Sequence, residues 1–267
     1  MDELDGSASA HTTEPLDVAR LTHALSFQRL GHTIQYFPAL PSTSTYATEL
    51  ARAGAPEGTL VTTDDQTAGR GRIGRVWKSL PGQQLSLSLI LKPRFPVHFL
   101  VMASAVAVRD AIATVTGLRA SIKWPNDVLV GPRKVCGVLI EVVEGTAILG
   151  LGINVNGSMA NDPDLATRAT TLEQVVGHRV SREDVALAVL QRLDRHYADL
   201  QTGGHEAQAA LRDAWRAHLD TLGAAVTIQQ NDEQVRGTAE NITPDGALLL
   251  RLSDGTLRTI TWGDVSS

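Results

Sequence analysis

Residues 121–155 read SIKWPNDVLVGPRKVCGVLIEVVEGTAILGLGINV, and this run decides the fold class. Ser121–Lys123, Asp127–Val130, Val135–Val143 and Ala147–Val155 read as strands. The turns between them are Trp124-Pro125-Asn126, Gly131-Pro132 and Glu144-Gly145. Connections this short join antiparallel neighbours, because a parallel crossover needs a dozen residues or more. The run therefore predicts hairpins and an α+β protein rather than βαβ units.

Working outward, Leu85–Leu91 alternates with period two and reads as a half-buried strand. Residues 99–115 are rich in alanine and valine and read as a buried helix ended by Gly117. Upstream, Leu60–Thr63 and Ile34–Phe37 are strand candidates. Pro38 and Pro41 bracket a turn, and Ser42-Thr43-Ser44-Thr45 can cap a helix running to Ala53, ended by Gly54 and Pro56. Pro15–Leu30 is expected to form an amphipathic helix through Leu16, Ala19, Leu21 and Leu25. Residues 1–14 lack periodicity and are expected to be disordered. Downstream, Ser181 to Asp184 suggests a capping box opening a helix to about Leu200, and a second helix spans about His205–Leu219. After Leu222-Gly223 come short β-rich runs, with Asp254-Gly255 as a two-residue hairpin signal. The expected domains are 15–221, an α+β unit with a mixed or antiparallel sheet, and 222–267, a small β-barrel-like unit.

Composition narrows the function classes. The chain has 267 residues and a formal net charge of −5, which speaks against general nucleic-acid binding. Its one cysteine, Cys136, allows no intrachain disulfide and suits a reducing, cytoplasmic setting. No apolar run is expected to reach the roughly 18 residues of a membrane span. The polar N-terminus is unlike a signal peptide. Dinucleotide and phosphate-loop glycine patterns, zinc-ligand spacings and a Gly-x-Ser-x-Gly elbow are absent from the sequence.

Three stretches carry chemistry. The first is Gln66-Thr67-Ala68-Gly69-Arg70-Gly71-Arg72-Ile73-Gly74-Arg75-Val76-Trp77. Its glycines let backbone approach a ligand and its arginines offer donor forks for carboxylate or phosphate. It reads as a mobile loop that closes over an anion, with a solvated surface loop or an RNA-binding segment as the blander readings. The second is Lys123-Trp124-Pro125-Asn126-Asp127 with Arg133-Lys134-Val135-Cys136-Gly137-Val138-Leu139-Ile140-Glu141. Lys134 can place a cation at a sheet-lined cleft, and Gly137 permits close approach; ordinary strand-end and turn roles are the alternatives. The third is Leu149-Gly150-Leu151-Gly152-Ile153-Asn154, where glycines alternate in a strand.

In this order and spacing, the three stretches resemble the biotin protein ligase family, over roughly residues 16–265. The resemblance implies a synthetase-like catalytic sheet with an SH3-like C-terminal domain. It also implies an enzyme that joins biotin to ATP as biotinyl-5′-adenylate and passes biotin to a lysine of a carrier domain. Biotin contacts are implied at Ser42, Thr43, Ser44 (where the family has asparagine), Gln66, Gly69, Arg70, Gly71, Arg72, Lys134 and Gly137. Adenylate contacts are implied at Arg72, Arg75, Trp77, Asn126, Lys134 and Asn154. Lys134 and Arg72 are the implied catalytic residues, and Asp127 is implied on the side of the acceptor lysine. The implied cofactor is ATP, with Mg²⁺ carried on it and biotin as substrate. The implied partners are biotin carboxyl carrier domains of acyl-CoA and pyruvate carboxylases, with no DNA or membrane partner and a monomer or weak homodimer. About 30 residues precede the first strand, too few for a repressor domain. The rival readings are a lipoate or octanoate ligase or transferase of the same superfamily and an RNA-binding module.

Overall fold

The computed structural model describes residues 14–160 and 162–266. In chain order the elements are α1 (Val18–Leu25), β1 (Thr33–Leu40), α2 (Thr43–Arg52), β2 (Thr59–Gln66), β3 (Leu85–Leu91), α3 (His98–Thr116), β4 (Ala120–Lys123), β5 (Asp127–Val130), β6 (Arg133–Val143) and β7 (Thr146–Ile153). There follow α4 (Leu172–Val176), α5 (Arg182–Thr202), α6 (Gly204–Arg216), β8 (Ala225–Gln230), β9 (Glu233–Ile242), β10 (Leu248–Arg251), β11 (Leu257–Ile260) and β12 (Asp264–Ser266).

The first seven strands form one mixed sheet in the order β1-β2-β3-β7-β6-β5-β4. Only β1–β2 is parallel among its pairs, with α2 as the crossover. The hairpins read from residues 121–155 are present as β4–β5–β6–β7. The last five strands form an antiparallel sheet in the order β11-β10-β9-β8-β12.

α3 packs against β4, β5 and β6 and against α5 and α6, and its inward residues lie in the main apolar core. It ends at Gly117, whose left-handed φ of 72° lets its N–H reach Ala113 O at 3.0 Å. α2 covers the opposite face, over a smaller cluster of Ala47, Val61, Ile90 and Ile148. A buried ion pair ties the N-terminal segment to the sheet. Arg182 Nη1 donates to Asp64 at 2.7 Å and Nη2 to Glu14 O at 2.6 Å. Tyr36 donates its hydroxyl to the same Asp64, and burial with that carboxylate pushes its pKa up to about 12.

Several expectations are corrected. β3 is buried along its whole length, not half-buried, because α2 covers its serine face. β1 runs through Pro38 instead of turning there, which an edge strand tolerates because its outer amides need no ladder partner. α1 is shorter than 15–30; the chain leaves it after Leu25, and the Leu30 amide goes to Asp194 Oδ1 at 2.8 Å. α3 is, against expectation, long and apolar enough to cross a membrane by length and composition, yet it is mostly buried as a core helix. At α5 Ser181 accepts from Asp184 N, while the reciprocal capping box belongs to the unanticipated α4, at Thr171 and Gln174. The β10–β11 hairpin closes with Leu252 N donating to Thr256 O at 2.9 Å, around three residues rather than two. Of the pair Asp254-Gly255 only the glycine adopts positive φ, and a two-residue type I′ turn would need both. Residues 1–13, where disorder was expected, lie outside the described residues.

Candidate active site

Strand pairing builds a trough in the large sheet. Ser88 of β3 faces Gly150 of β7, which faces Leu139 of β6; in the next row Ser86 faces Gly152, which faces Gly137. Small residues in both rows leave space above the sheet where other strands would put side chains. The resulting cleft encloses about 430 Å³ of space, part of it open to solvent.

Its polar end is a chain of hydroxyls. Ser42 caps α2 through Thr45 N and does not itself line the cleft. Thr43 and Ser44, in the first turn, do line it. Gln66 Oε1 accepts from Thr43 N at 2.9 Å and from Thr43 Oγ1 at 3.1 Å. Both bonds commit the oxygen, so the amide nitrogen is the donor left for a ligand. Ser88 Oγ donates to Thr43 Oγ1 at 2.8 Å and lies 3.1 Å from Ser44 Oγ. A Cβ on Gly150 would stand 2.8 Å from Ser44 Oγ.

Lys134 supplies the cation at mid-cleft. The β5–β6 register shifts between Val128 and Leu129, so Val128 faces Cys136 while Leu129 faces Lys134. Such an irregularity re-aims a side chain. The Lys134 backbone is held from behind, its N–H donating to Arg168 O and its carbonyl accepting from Thr170 N, each at 2.9 Å. Its ammonium lies 2.7 Å from Asp127 and 5.4 Å from the centre of the Trp77 ring. That indole lies against the two glycines: a Cβ on Gly152 would meet it at 2.4 Å, and one on Gly137 at 3.1 Å. Asn154 sits behind Lys134, its amide nitrogen 3.4 Å from Lys134 O, and does not line the cleft. Burial pushes the Cys136 thiol far above its usual range, so it is no nucleophile.

The Gly/Arg segment folds as a flap. Trp77 N donates to Gly69 O at 2.9 Å and Gly71 N to Arg75 O at 2.7 Å, around a tight turn closed by Arg75 N donating to Arg72 O at 3.2 Å, with Ile73 and Gly74 both at positive φ. Gly69 serves this closure and does not line the cleft; a Cβ there would stand 2.4 Å from Trp77 O. Ile73, a β-branched residue, sits at φ 55°, a strained position of the kind that costs about 1–3 kcal/mol. The three arginines part company. Arg70 grips Glu141 with two hydrogen bonds, at 3.1 and 2.5 Å. Arg72 donates to Asn126 Oδ1 at 2.6 Å, and Asn126 in turn donates to Val138 O at 2.8 Å. Burial lowers the Arg72 pKa, partly offset by Asp127, but a guanidinium remains charged. Arg75 leaves the cleft and pairs with Asp264 of β12.

Of the residues expected at the site, Thr43, Ser44, Gln66, Arg70, Gly71, Arg72, Trp77, Asn126, Lys134 and Gly137 line one cleft. Asp127 touches it through Lys134, while Ser42, Gly69, Arg75 and Asn154 stand outside its lining. Residues not anticipated there are Leu87, Val138, Leu139, Gly150, Leu151 and Gly152, with Ser88 and Glu141 bonded to lining residues. The alternating glycines of β7 were a readable signal of close approach. The signal for Ser88 was misleading, because a serine alternating with leucine reads as solvent-facing. With these side chains the cleft offers an apolar trough, a hydroxyl and amide end, and two cations for an anionic group.

Two family descriptions match the chain: the "Biotin/lipoate A/B protein ligase family" over residues 36–158 and the "Biotin protein ligase C terminal domain" over residues 221–266. The bifunctional ligase/repressor BirA of Bacillus subtilis is 35% identical over 249 residues, covering 90% of this chain and 76% of the relative. The biotin–[acetyl-CoA-carboxylase] ligase of Mycobacterium tuberculosis is 32% identical over 234 residues, covering 83% and 85%. Among solved structures, a biotin protein ligase from Aquifex aeolicus in complex with biotin and ATP superposes with a TM-score of 0.78 at 28% identity, covering 88% of this chain and 97% of that one.

Proposed function

The chain belongs to the biotin/lipoate A/B protein ligase family, as a biotin protein ligase, and from that premise we propose how its cleft divides the work. The enzyme uses ATP to attach biotin to protein. In the first step a carboxylate oxygen of biotin attacks the α-phosphorus of ATP, forming the acyl adenylate and releasing pyrophosphate. In the second, a lysine amine attacks the acyl carbon, the bond to AMP breaks, an amide forms and the amine loses a proton.

No step calls for a protein nucleophile; catalysis rests on placing anions and stabilising charge. The hydroxyl chain of Ser44, Ser88 and Thr43 with the Gln66 amide faces the ring end of biotin. The trough over Gly150 takes its apolar body. Lys134 takes the reacting carboxylate and α-phosphate, exchanging its contact with Asp127 for the ligand. Arg72 adds a second cation, and Trp77 a ring beside the nucleotide. Asp127, once released, stands where it can receive the proton from the acceptor amine. The flap shields an adenylate that water would hydrolyse.

Among the described residues no cluster of three His, Cys, Asp or Glu side chains is placed to hold a resident metal. Magnesium is proposed to arrive with ATP, as its counter-ion. The carrier domains of biotin-dependent carboxylases are the proposed acceptors, and the cytoplasm the proposed compartment. The observation that carries this reading is the convergence of Lys134, Arg72, Gln66 and Thr43 on one trough floored by glycines. The match of residues 221–266 to a biotin protein ligase C-terminal domain favours biotin over lipoate. Pyrophosphate exchange into ATP tests it: biotin should drive exchange, and lipoate or no acid should not. Exchange driven by lipoate alone would overturn the assignment.

A further inference from the structure

We propose that a second cavity, opening into the reactive cleft from between the two sheets, seats an apolar side chain of the acceptor protein beside its target lysine. The proposal rests on the ligase reading above. The cavity is wide open to solvent, spans about 980 Å³ with that open space counted, and shares Arg72, Asn126 and Val138 with the reactive cleft. Much of its wall is apolar, from Val101 and Met102 of α3, Trp124, Ile140 of β6, Trp215 of α6 and Ala247 in the β9–β10 turn, with His98, Asp245 and Thr261 as polar members besides the shared Arg72 and Asn126. Trp124 Nε1 donates to Gly246 O at 2.9 Å, so the catalytic sheet and the C-terminal sheet build it together.

The occupant follows from reach and charge. A lysine side chain is four methylenes long, so the acceptor backbone must pass just outside the cleft on the side from which the amine enters. Asp127, the carboxylate proposed to receive the amine's proton, adjoins Asn126 at the shared mouth. A residue neighbouring the lysine then lies over this cavity. The nucleotide is a poor occupant. Trp124 and Trp215 are each only 2% exposed and offer no open face for stacking, and the Asp245 carboxylate on the wall repels polyphosphate. Burial lowers the His98 pKa and favours its neutral form beside Asp245, and Arg72 lines the cavity only at the end shared with the reactive cleft, where it is bonded to Asn126. A different adjoining cavity, lined by Trp77, Lys78 and Met159, is left for the nucleotide. Three exposed apolar residues, Ile73, Val97 and Trp262, each adjoin in the chain a residue that lines the second cavity (Arg72, His98 and Thr261). An apolar depression with apolar residues beside it is what a protein partner covers.

Filling the cavity tests this without touching the proposed catalytic groups. Val101→Phe and Ala247→Leu narrow it from opposite walls. Each is assayed for biotin-dependent pyrophosphate exchange, and for transfer of biotin to hydroxylamine and to a carboxylase carrier domain. Exchange and hydroxylamine transfer should stay within about twofold of the unaltered enzyme, while KM for the carrier domain should rise about tenfold or more, the scale of a methylene-sized misfit. Replacing the residues on either side of the carrier's target lysine by serine should raise KM on the unaltered enzyme and have less effect on the filled variants, because the two changes remove one contact. That carrier experiment stands even if one variant fails to fold. Unchanged carrier KM in the folded variants, or a raised KM for ATP with normal transfer, would overturn the proposal. Absence of biotin-dependent exchange in the unaltered enzyme would instead sink the ligase reading, and this proposal with it.

Discussion

Lys134 Nζ and Asp127 Oδ1 stand 2.7 Å apart, so the proposed catalytic cation is already paired before any substrate arrives. Both side chains keep a fraction of their surface in solvent, which lets an anionic ligand displace the carboxylate without exposing a deeply buried charge. The interaction that matters is then the one made as charge develops on the α-phosphate.

Lys134→Ala should lower the rate of adenylation by about 10² or more, the scale of losing one preorganised charged donor. Lys134→Arg should not restore it, because a planar fork does not fit a site shaped for a point charge. Biotin-dependent pyrophosphate exchange measures this, and a near-normal rate in the alanine variant would remove Lys134 from the mechanism.

Arg72→Gly removes the donor to Asn126 while keeping the flap backbone. The reactive adenylate should then leak and label bystander proteins, with little change in thermal unfolding. The flap's outer ties, Arg70 to Glu141 and Arg75 to Asp264, are surface pairs, each worth about 0–1 kcal/mol, so the flap should open readily without ligand. Trypsin should cut at Arg70, Arg72 or Arg75 faster in the free enzyme than with biotin and ATP. Equal cleavage in both conditions would contradict closure.

Gly152→Ala and Gly150→Ala separate the two halves of the trough. An added Cβ at Gly152 would stand 2.4 Å from a rigid indole, whereas at Gly150 it would meet a rotatable Ser44 hydroxyl at 2.8 Å. Neither glycine has a positive φ, so the effect comes through the neighbour and not the backbone. Gly152→Ala should displace Trp77 and raise KM for ATP more than for biotin; Gly150→Ala should do the reverse. The overpacking should cost about 1–3 kcal/mol of stability. Identical KM changes for both substrates in the two variants would contradict this division.

Stability should fall as pH drops below about 6.5, the ordinary histidine value. His98, His196 and His218 are all held lower than that, chiefly by burial, with Asp245 opposing at His98 and Asp110 opposing at the other two. In this window the unfolded chain binds more protons than the folded one, so the free energy of unfolding rises with pH. Urea midpoints at pH 7.5 and 5.5 should differ in that sense, and His196→Gln should shrink the difference. A midpoint that is constant or higher at pH 5.5 would contradict it. Asp162, Glu240 and Asp254 are held below their ordinary carboxylate range by hydrogen bonds from Lys78, Arg251 and Thr256 respectively, away from this window.

The sequence by itself determined what local chemistry specifies. Short turns between strands made β4 to β7 hairpins, Gly117 ended α3, Ser42 capped α2, and the spacing of the Gly/Arg, KWPND and RK-x-x-G stretches was legible as a family pattern. Tertiary structure alone decided which face of a strand meets what. Ser88 alternates with leucine in a way that reads as solvent-facing, but α2 folds over it, and it bonds Thr43 and Ser44, which line the cleft. Three arginines in one seven-residue run look equivalent, yet one goes to Glu141, one to Asn126 and one to Asp264 across the chain. Periodicity records only that a strand has two faces and that a loop carries charge. What covers a face, and which partner a long side chain finds, depends on residues far away in sequence, and these meet only once the sheet has closed and its helices have packed.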